Sequence, residues 1–150
     1  MQVPRIENIE IVTKVFGEWP SFRDGEIVRL TLDRSGPEGP RLEALIYVFL
    51  PTGEIDEQGL YMLRHESLVA LEFMEVVVEK IAGFNHQNVI FEVIISEIDP
   101  AENDGRCFEV NIEGPYGCTA LFKAKRIFVR DLIPHRTKSV QTPRRERLEH

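Results

Sequence analysis

Asp24 and Glu26 stand two residues apart at the opening of a run that alternates apolar and polar side chains, and residues two apart in an extended chain point to one face. Two converging carboxylates are the groups that general acid–base chemistry uses, and with His65 or His86 they would offer ligands to a metal ion. The remainder of such a constellation is missing. The chain holds no histidine pair at ligand spacing, no H-E-x-x-H, no glycine-rich phosphate loop and no G-x-S-x-G. Ser21 and Ser67 lie outside any triad pattern. The expectation is a chain with no catalytic residue, no metal and no cofactor, and so not an enzyme.

Chemistry of recognition fits these residues better. Trp19, Phe22 and Arg23 are the residue types from which partner hot spots are built, and Asp24 and Glu26 beside them are hard to bury. Trp19 and Phe22 around Pro20 also suit a plug at one end of a core, with the indole mostly buried near Phe16. Glu54, Asp56 and Glu57 form an acidic loop. Asn85 and His86 belong to a turn, Gly83 to Asn88, whose side chains either bond their own backbone or read that of a partner. These ten residues, Trp19, Phe22, Arg23, Asp24, Glu26, Glu54, Asp56, Glu57, Asn85 and His86, are the expected partner-binding set.

The elements that must position them follow from periodicity. Ile9, Val12 and Phe16 recur at helical spacing after Ile6, with Asn8 as the expected cap and Gly17 as the stop. From Glu26 the period becomes two: Val28, Leu30 and Leu32 face one way, Arg29, Thr31 and Asp33 the other. Leu42 to Leu50 and Phe91 to Ile98 are apolar on both faces, as in strands covered on both sides, with Pro51-Thr52-Gly53 ending the first. Leu68 to Phe73 and Val76 to Ile81 read as two further strands. A helix through residues 66–82 competes with them, but Val76-Val77-Val78 disfavours it. Cys107 to Ile112 and Cys118 to Leu132 read as one long hairpin, with Phe108 facing Phe122 and Val110 facing Ala120. About seven strands and one small helix without a βαβ rhythm predict a mainly β (α+β) fold, an antiparallel sandwich or curved sheet with a short N-terminal helix.

The segment Phe16-Gly17-Glu18-Trp19-Pro20-Ser21-Phe22-Arg23-Asp24-Gly25-Glu26 resembles a motif of the bacterial immunity protein 50 family, small cytoplasmic antidotes of polymorphic toxin systems. Gly83-Phe84-Asn85-His86-Gln87-Asn88-Val89 resembles a second motif of that family, and Val48-Phe49 with Asp56-Glu57-Gln58-Gly59 stands at comparable spacing. The likeness spans most of residues 6 to 130. It departs at Arg23, where the family has a histidine, so no imidazole role carries over. The resemblance implies an antitoxin that binds the catalytic domain of a cognate toxin and occludes its active site. The alternative is a β module that binds a small molecule or a peptide.

Charge narrows the partner. Residues 1–122 hold 9 Lys and Arg against 22 Asp and Glu, a balance of −13, whereas the other 9 basic residues lie between Lys123 and Arg147. An acidic body repels nucleic acid and attracts a basic protein such as a nuclease. Proline and the near absence of apolar residues after Ile133 predict one β-rich domain over 1–133 and a basic, disordered tail over 134–150, in which Leu148, Glu149 and His150 read as the start of a purification tag. No run approaches the roughly 20 apolar residues of a membrane span and the N-terminus lacks a secretory pattern, so a cytoplasmic address without membrane contact is expected. The two cysteines, far apart along the expected hairpin, read as free thiols.

Overall fold

Among the described residues, β-branched and aromatic runs separated by Gly, Pro, Asn and Asp turns form eight strands after one short α-helix, and the fold is mainly β as expected. The structure, a computed structural model, describes residues 5–135. The basic tail from residue 136 onward, with its tag-like end, lies outside the described residues. Helix α1 covers Glu10–Phe16, followed by strands β1 (Glu26–Asp33), β2 (Arg41–Ile55), β3 (Tyr61–Met74), β4 (Val77–Ala82), β5 (Glu92–Glu97), β6 (Phe108–Glu113), β7 (Thr119–Ala124) and β8 (Arg126–Pro134). They make two antiparallel four-stranded sheets, β1-β2-β3-β8 and β4-β7-β6-β5. No described helix is long and apolar enough to cross a membrane.

The inward side chains of the two sheets share one core. Leu42, Ala44 and Ile46 of β2, Val69, Leu71 and Phe73 of β3, Val110 and Ile112 of β6 and Ala120 and Phe122 of β7 are all buried there. Phe73 and Phe122 meet edge to face across it, ring centroids 4.9 Å apart at 79°. Such a pair adds roughly 0.5–1.5 kcal/mol to the burial of the two rings. Val12 and Phe16 of α1 complete the core, so the helix owes its stability to packing rather than to its two turns.

Several local expectations give way to tertiary context. Asn8 does not cap α1 with its side chain: it takes a left-handed backbone at φ 62° and turns its amide toward the Val129 carbonyl. Gly17 does end the helix, at φ 85° with its N–H on the Thr13 carbonyl. In β1 a register break between Ile27 and Arg29 makes Ile27 the buried residue and leaves Val28 and Leu32 exposed on an edge strand. β2 does not stop at Pro51 but runs on to Ile55. The last long strand is two: the chain breaks at Lys125, and β8 joins β3 in the other sheet. β8 also carries the fold to Pro134, one residue past the expected boundary.

In the β6–β7 hairpin Phe108 lies opposite Ala124, Val110 opposite Phe122 and Ile112 opposite Ala120, two residues away from the expected register. A shift of two leaves the same side chains on the inner face, so alternation alone cannot detect it. Cross-strand size decides, each large residue facing a small or medium one, and the turn closes with the Gly117 N–H on the Gly114 carbonyl.

Both thiols are free. Cys118 is 1% exposed and desolvation pushes its thiol above the ordinary range, while Cys107 is half-buried near the surface. A neutral buried thiol is a poor nucleophile. A disulfide reagent near pH 8 should therefore label one cysteine, Cys107, in the native protein and two after unfolding. Rapid labelling of both in the native state would contradict this burial.

Candidate functional site

The loop between α1 and β1 is held in a shape its sequence resists. Phe22 and Asp24 both occupy the left-handed region, at φ 65° and 69°, where a residue with a Cβ is disfavoured by about 1–2 kcal/mol. Four ties impose that shape. The Asp24 N–H donates to the Ile90 carbonyl at 2.9 Å, the Ile90 N–H to the Gly25 carbonyl at 2.8 Å and the Gly25 N–H to the Phe22 carbonyl at 3.0 Å. Fourth, the Phe22 ring is buried in the core. Gly25 is required by closeness: a Cβ there would stand 2.6 Å from the Tyr47 carbonyl oxygen.

One side chain joins this loop to the other motif. Asn88, 3% exposed, donates from Nδ2 to the carbonyls of Ile27 (3.2 Å) and Asn85 (2.8 Å) and accepts at Oδ1 from the Asn85 N–H (2.8 Å). Its backbone accepts from the Ile27 N–H at 3.0 Å and donates to Glu26 Oε2 at 3.1 Å. The segment then rests on the β6–β7 turn, where a Cβ on Gly117 would lie 2.7 Å from Asn88 Cα.

The strained loop forms one wall of a groove of 760 Å³, with Val48 to Pro51 of β2 and Glu92 to Ile95 of β5 as the others. Trp19 and Phe22 meet edge to face in this wall at 5.3 Å, and the Arg23 guanidinium lies 4.3 Å over the Phe91 ring. Trp19 is partly buried: it packs against the core and lines the groove.

The ten expected residues therefore divide. Trp19, Phe22, Arg23 and Asp24 line the groove together. Glu26 does not: its carboxylate is held by the Asn88 N–H behind the loop. Asn85 uses its side chain on the Gln87 N–H and the carbonyls of Gly83 and Tyr116, and His86 is exposed beside it. Glu54, Asp56 and Glu57 lie beyond the groove at the tip of the β2–β3 hairpin, where Asp56 Oδ1 accepts the N–H groups of Gln58 and Leu60. Asp24 precedes the strand with a left-handed backbone, so the alternation that would align it with Glu26 does not apply. Ser21 Oγ accepts the Arg23 N–H and Ser67 Oγ donates to the His65 carbonyl. Among the described residues no cluster of three His, Cys, Asp or Glu could hold a metal.

Sequence reasoning missed Phe91 and the β5 wall. It read Phe91 to Ile98 as a strand covered on both sides; β5 is instead the end strand of its sheet, and Glu92 to Ile95 border the groove. Phe91 and Ile94 stay exposed in consequence. No family model, no curated protein and no solved structure matches this chain.

Asn88→Ala strips the Ile27 and Asn85 carbonyls of a donor and removes the side-chain link between the two segments, leaving only the main-chain bonds of residues 88 and 90 to hold them. A group left so costs about 1–3 kcal/mol. The melting temperature should fall by several degrees, with the fluorescence of the single tryptophan, Trp19, changing at lower denaturant than in the parent protein. An unaltered melt would show that Asn88 does not hold the loop.

Proposed function

We propose that the chain is an immunity protein, a non-catalytic antidote that acts in the cytoplasm by binding the catalytic domain of a cognate toxin and covering its active site. One observation carries the reading. The two segments that resemble the immunity protein 50 family, 16–26 and 83–89, lie far apart in sequence yet are bonded to each other through Asn88, and the first of them walls an apolar groove. A strained loop fixed in place by a distant segment is what a preformed docking surface requires, since ordering it on binding would weaken association. Trp19 and Arg23 are the anchors this surface offers.

The acidic body supports a basic toxin domain, a nuclease being the simplest class, and steers its approach. Glu54, Asp56 and Glu57 at the exposed hairpin tip contribute to that field without lining the groove. The groove also supports a second reading, a β module that binds a peptide in its own right, since it is open and mostly apolar with few charges.

The test uses the protein encoded by the gene next to this one, where the reading expects a toxin domain. Arg23→Ala and Trp19→Ala should each weaken binding by about 2 kcal/mol, roughly thirtyfold, as central anchors do. Charge reversal of Glu54 and Glu57 should slow association and flatten its dependence on salt between about 0.05 and 0.5 M, with little change in dissociation. Full affinity in both groove variants would remove the groove from the interface, and failure of the neighbouring protein to bind at all would leave the peptide module as the better reading.

A further inference from the structure

Four strands end the two sheets, and three of them carry a feature that blocks further pairing. β1 has a register break between Ile27 and Arg29 and β4 one between Val78 and Lys80. β8 has a break opposite Ala70 and Leu71, and Glu7 bridges to it at Phe128. Bulges, lysines and covering segments are the means by which sheets keep an edge from templating another strand. Among the described residues β5 has none of them along Glu92–Glu97; the α1–β1 loop bonds to the chain just before it, at Ile90. Its register with β6 is unbroken from Glu92 to Glu97, it contains no Lys, Pro or Gly, and among the described residues no strand pairs with its other side. That open side borders the groove. Glu92, Val93, Ile94 and Ile95 all line it, and since successive side chains point to opposite faces, four in a row along an end strand fit a cavity to which the strand's edge is turned.

We infer that β5 is an acceptor edge, to which a partner adds an extended strand that is apolar in its middle and basic at its ends. The inference rests on the reading of this groove as the partner-binding site. Affinity would come from main-chain N–H and C=O groups along the open edge, and selection from side chains alternating into the groove. The charges name the occupant. β5 begins and ends in exposed carboxylates, Glu92 and Glu97, and Asp24 and Glu18 stand in the groove wall. A second copy of this chain, paired antiparallel in the centred register, would set Glu92 against Glu97 at both ends, and like charges directly opposite oppose pairing. Lys or Arg at those positions turns both contacts attractive. Arg5 approaches Glu97 at 4.0 Å with both side chains largely in solvent, a geometry too loose to remove that carboxylate from consideration.

The probe is a capped synthetic peptide of the pattern Lys-Val-Thr-Val-Thr-Lys, compared with its Glu-ended counterpart, and the readout is amide hydrogen exchange of the full chain followed by NMR. At about ten times its dissociation constant the Lys-ended peptide should slow exchange of alternate β5 amides roughly tenfold. The Glu-ended peptide should have no such effect, and Glu92→Lys with Glu97→Lys should invert the preference. Both positions are exposed; should that variant fail to fold, Glu92→Gln with Glu97→Gln is expected to abolish the preference instead. Unchanged β5 exchange at millimolar peptide, equal protection by both peptides, or self-association through β5 without peptide would each overturn the inference. Protection of β5 together with toxin binding that ignores the groove variants would keep the acceptor edge and discard the immunity reading. Toxin binding that needs the groove but leaves β5 exchange unaltered would discard the acceptor edge alone.

Discussion

The two sheets are one molecule because two strands leave one sheet and join the other at the same corner. β3 passes into β4 at Glu75, which takes a left-handed backbone at φ 55°, and β7 passes into β8 at Lys125. The Lys125 N–H donates to the Met74 carbonyl at 2.9 Å, and Arg106 Nε donates to the Glu75 carbonyl at 2.8 Å. Lys125 and Arg106 also approach the Glu75 carboxylate, at 4.0 and 3.8 Å. Either four-stranded sheet alone would expose its apolar face, and the shared corner carries both strands across together, so that Phe73 and Phe122 meet in the core.

The corner organises charge as well as packing. On the outer face of the first sheet Glu72 is 3% exposed and lies between Arg41 of β2 at 3.2 Å and Arg130 of β8 at 3.3 Å. A carboxylate so enclosed would be costly if unpaired, and the two guanidiniums compensate it while binding three neighbouring strands side by side. Nearby, Arg126 grips Glu7 with two bonds of 2.8 Å, which holds the Glu7 carboxyl below the ordinary carboxylate range. That contribution is present above the ordinary range and fades on acidification as the carboxyl protonates. Glu7 is thereby fixed against β8, and the chain enters α1 at the right place to seal the core.

The candidate site lies where the sandwich is open. β1 leaves β2 at Tyr47, so Val48 to Pro51 continue with no β1 partner, while β5 ends the other sheet and, among the described residues, no strand pairs with its far side. The loop carrying Trp19 and Arg23 bridges this gap, and the bonds of Asp24 and Gly25 to Ile90 hold it in its left-handed turns. The groove is therefore a consequence of two strands ending out of step, stabilised by the segment Asn88 to Ile90 from a third part of the chain.

Sequence alone determined the class of fold, the short helix with its Gly17 stop, the strand character of Leu42 to Leu50 and of the residues on either side of Glu75, and the inner face of β6 and β7. Each rests on local periodicity, which the backbone imposes at two or 3.6 residues. It also brought Trp19, Phe22, Arg23 and Asp24 forward, as rare residue types crowded into one turn. Tertiary structure decided the rest, because those outcomes depend on which segments meet. A register shift of two keeps every side chain on its face and is invisible to alternation. Glu26 looks like a surface carboxylate until Asn88 from 62 residues away donates to it. The alternation of β5 looks the same in sequence whether another strand pairs with its far edge or a groove borders it, and only the order of strands in the sheet separates the two.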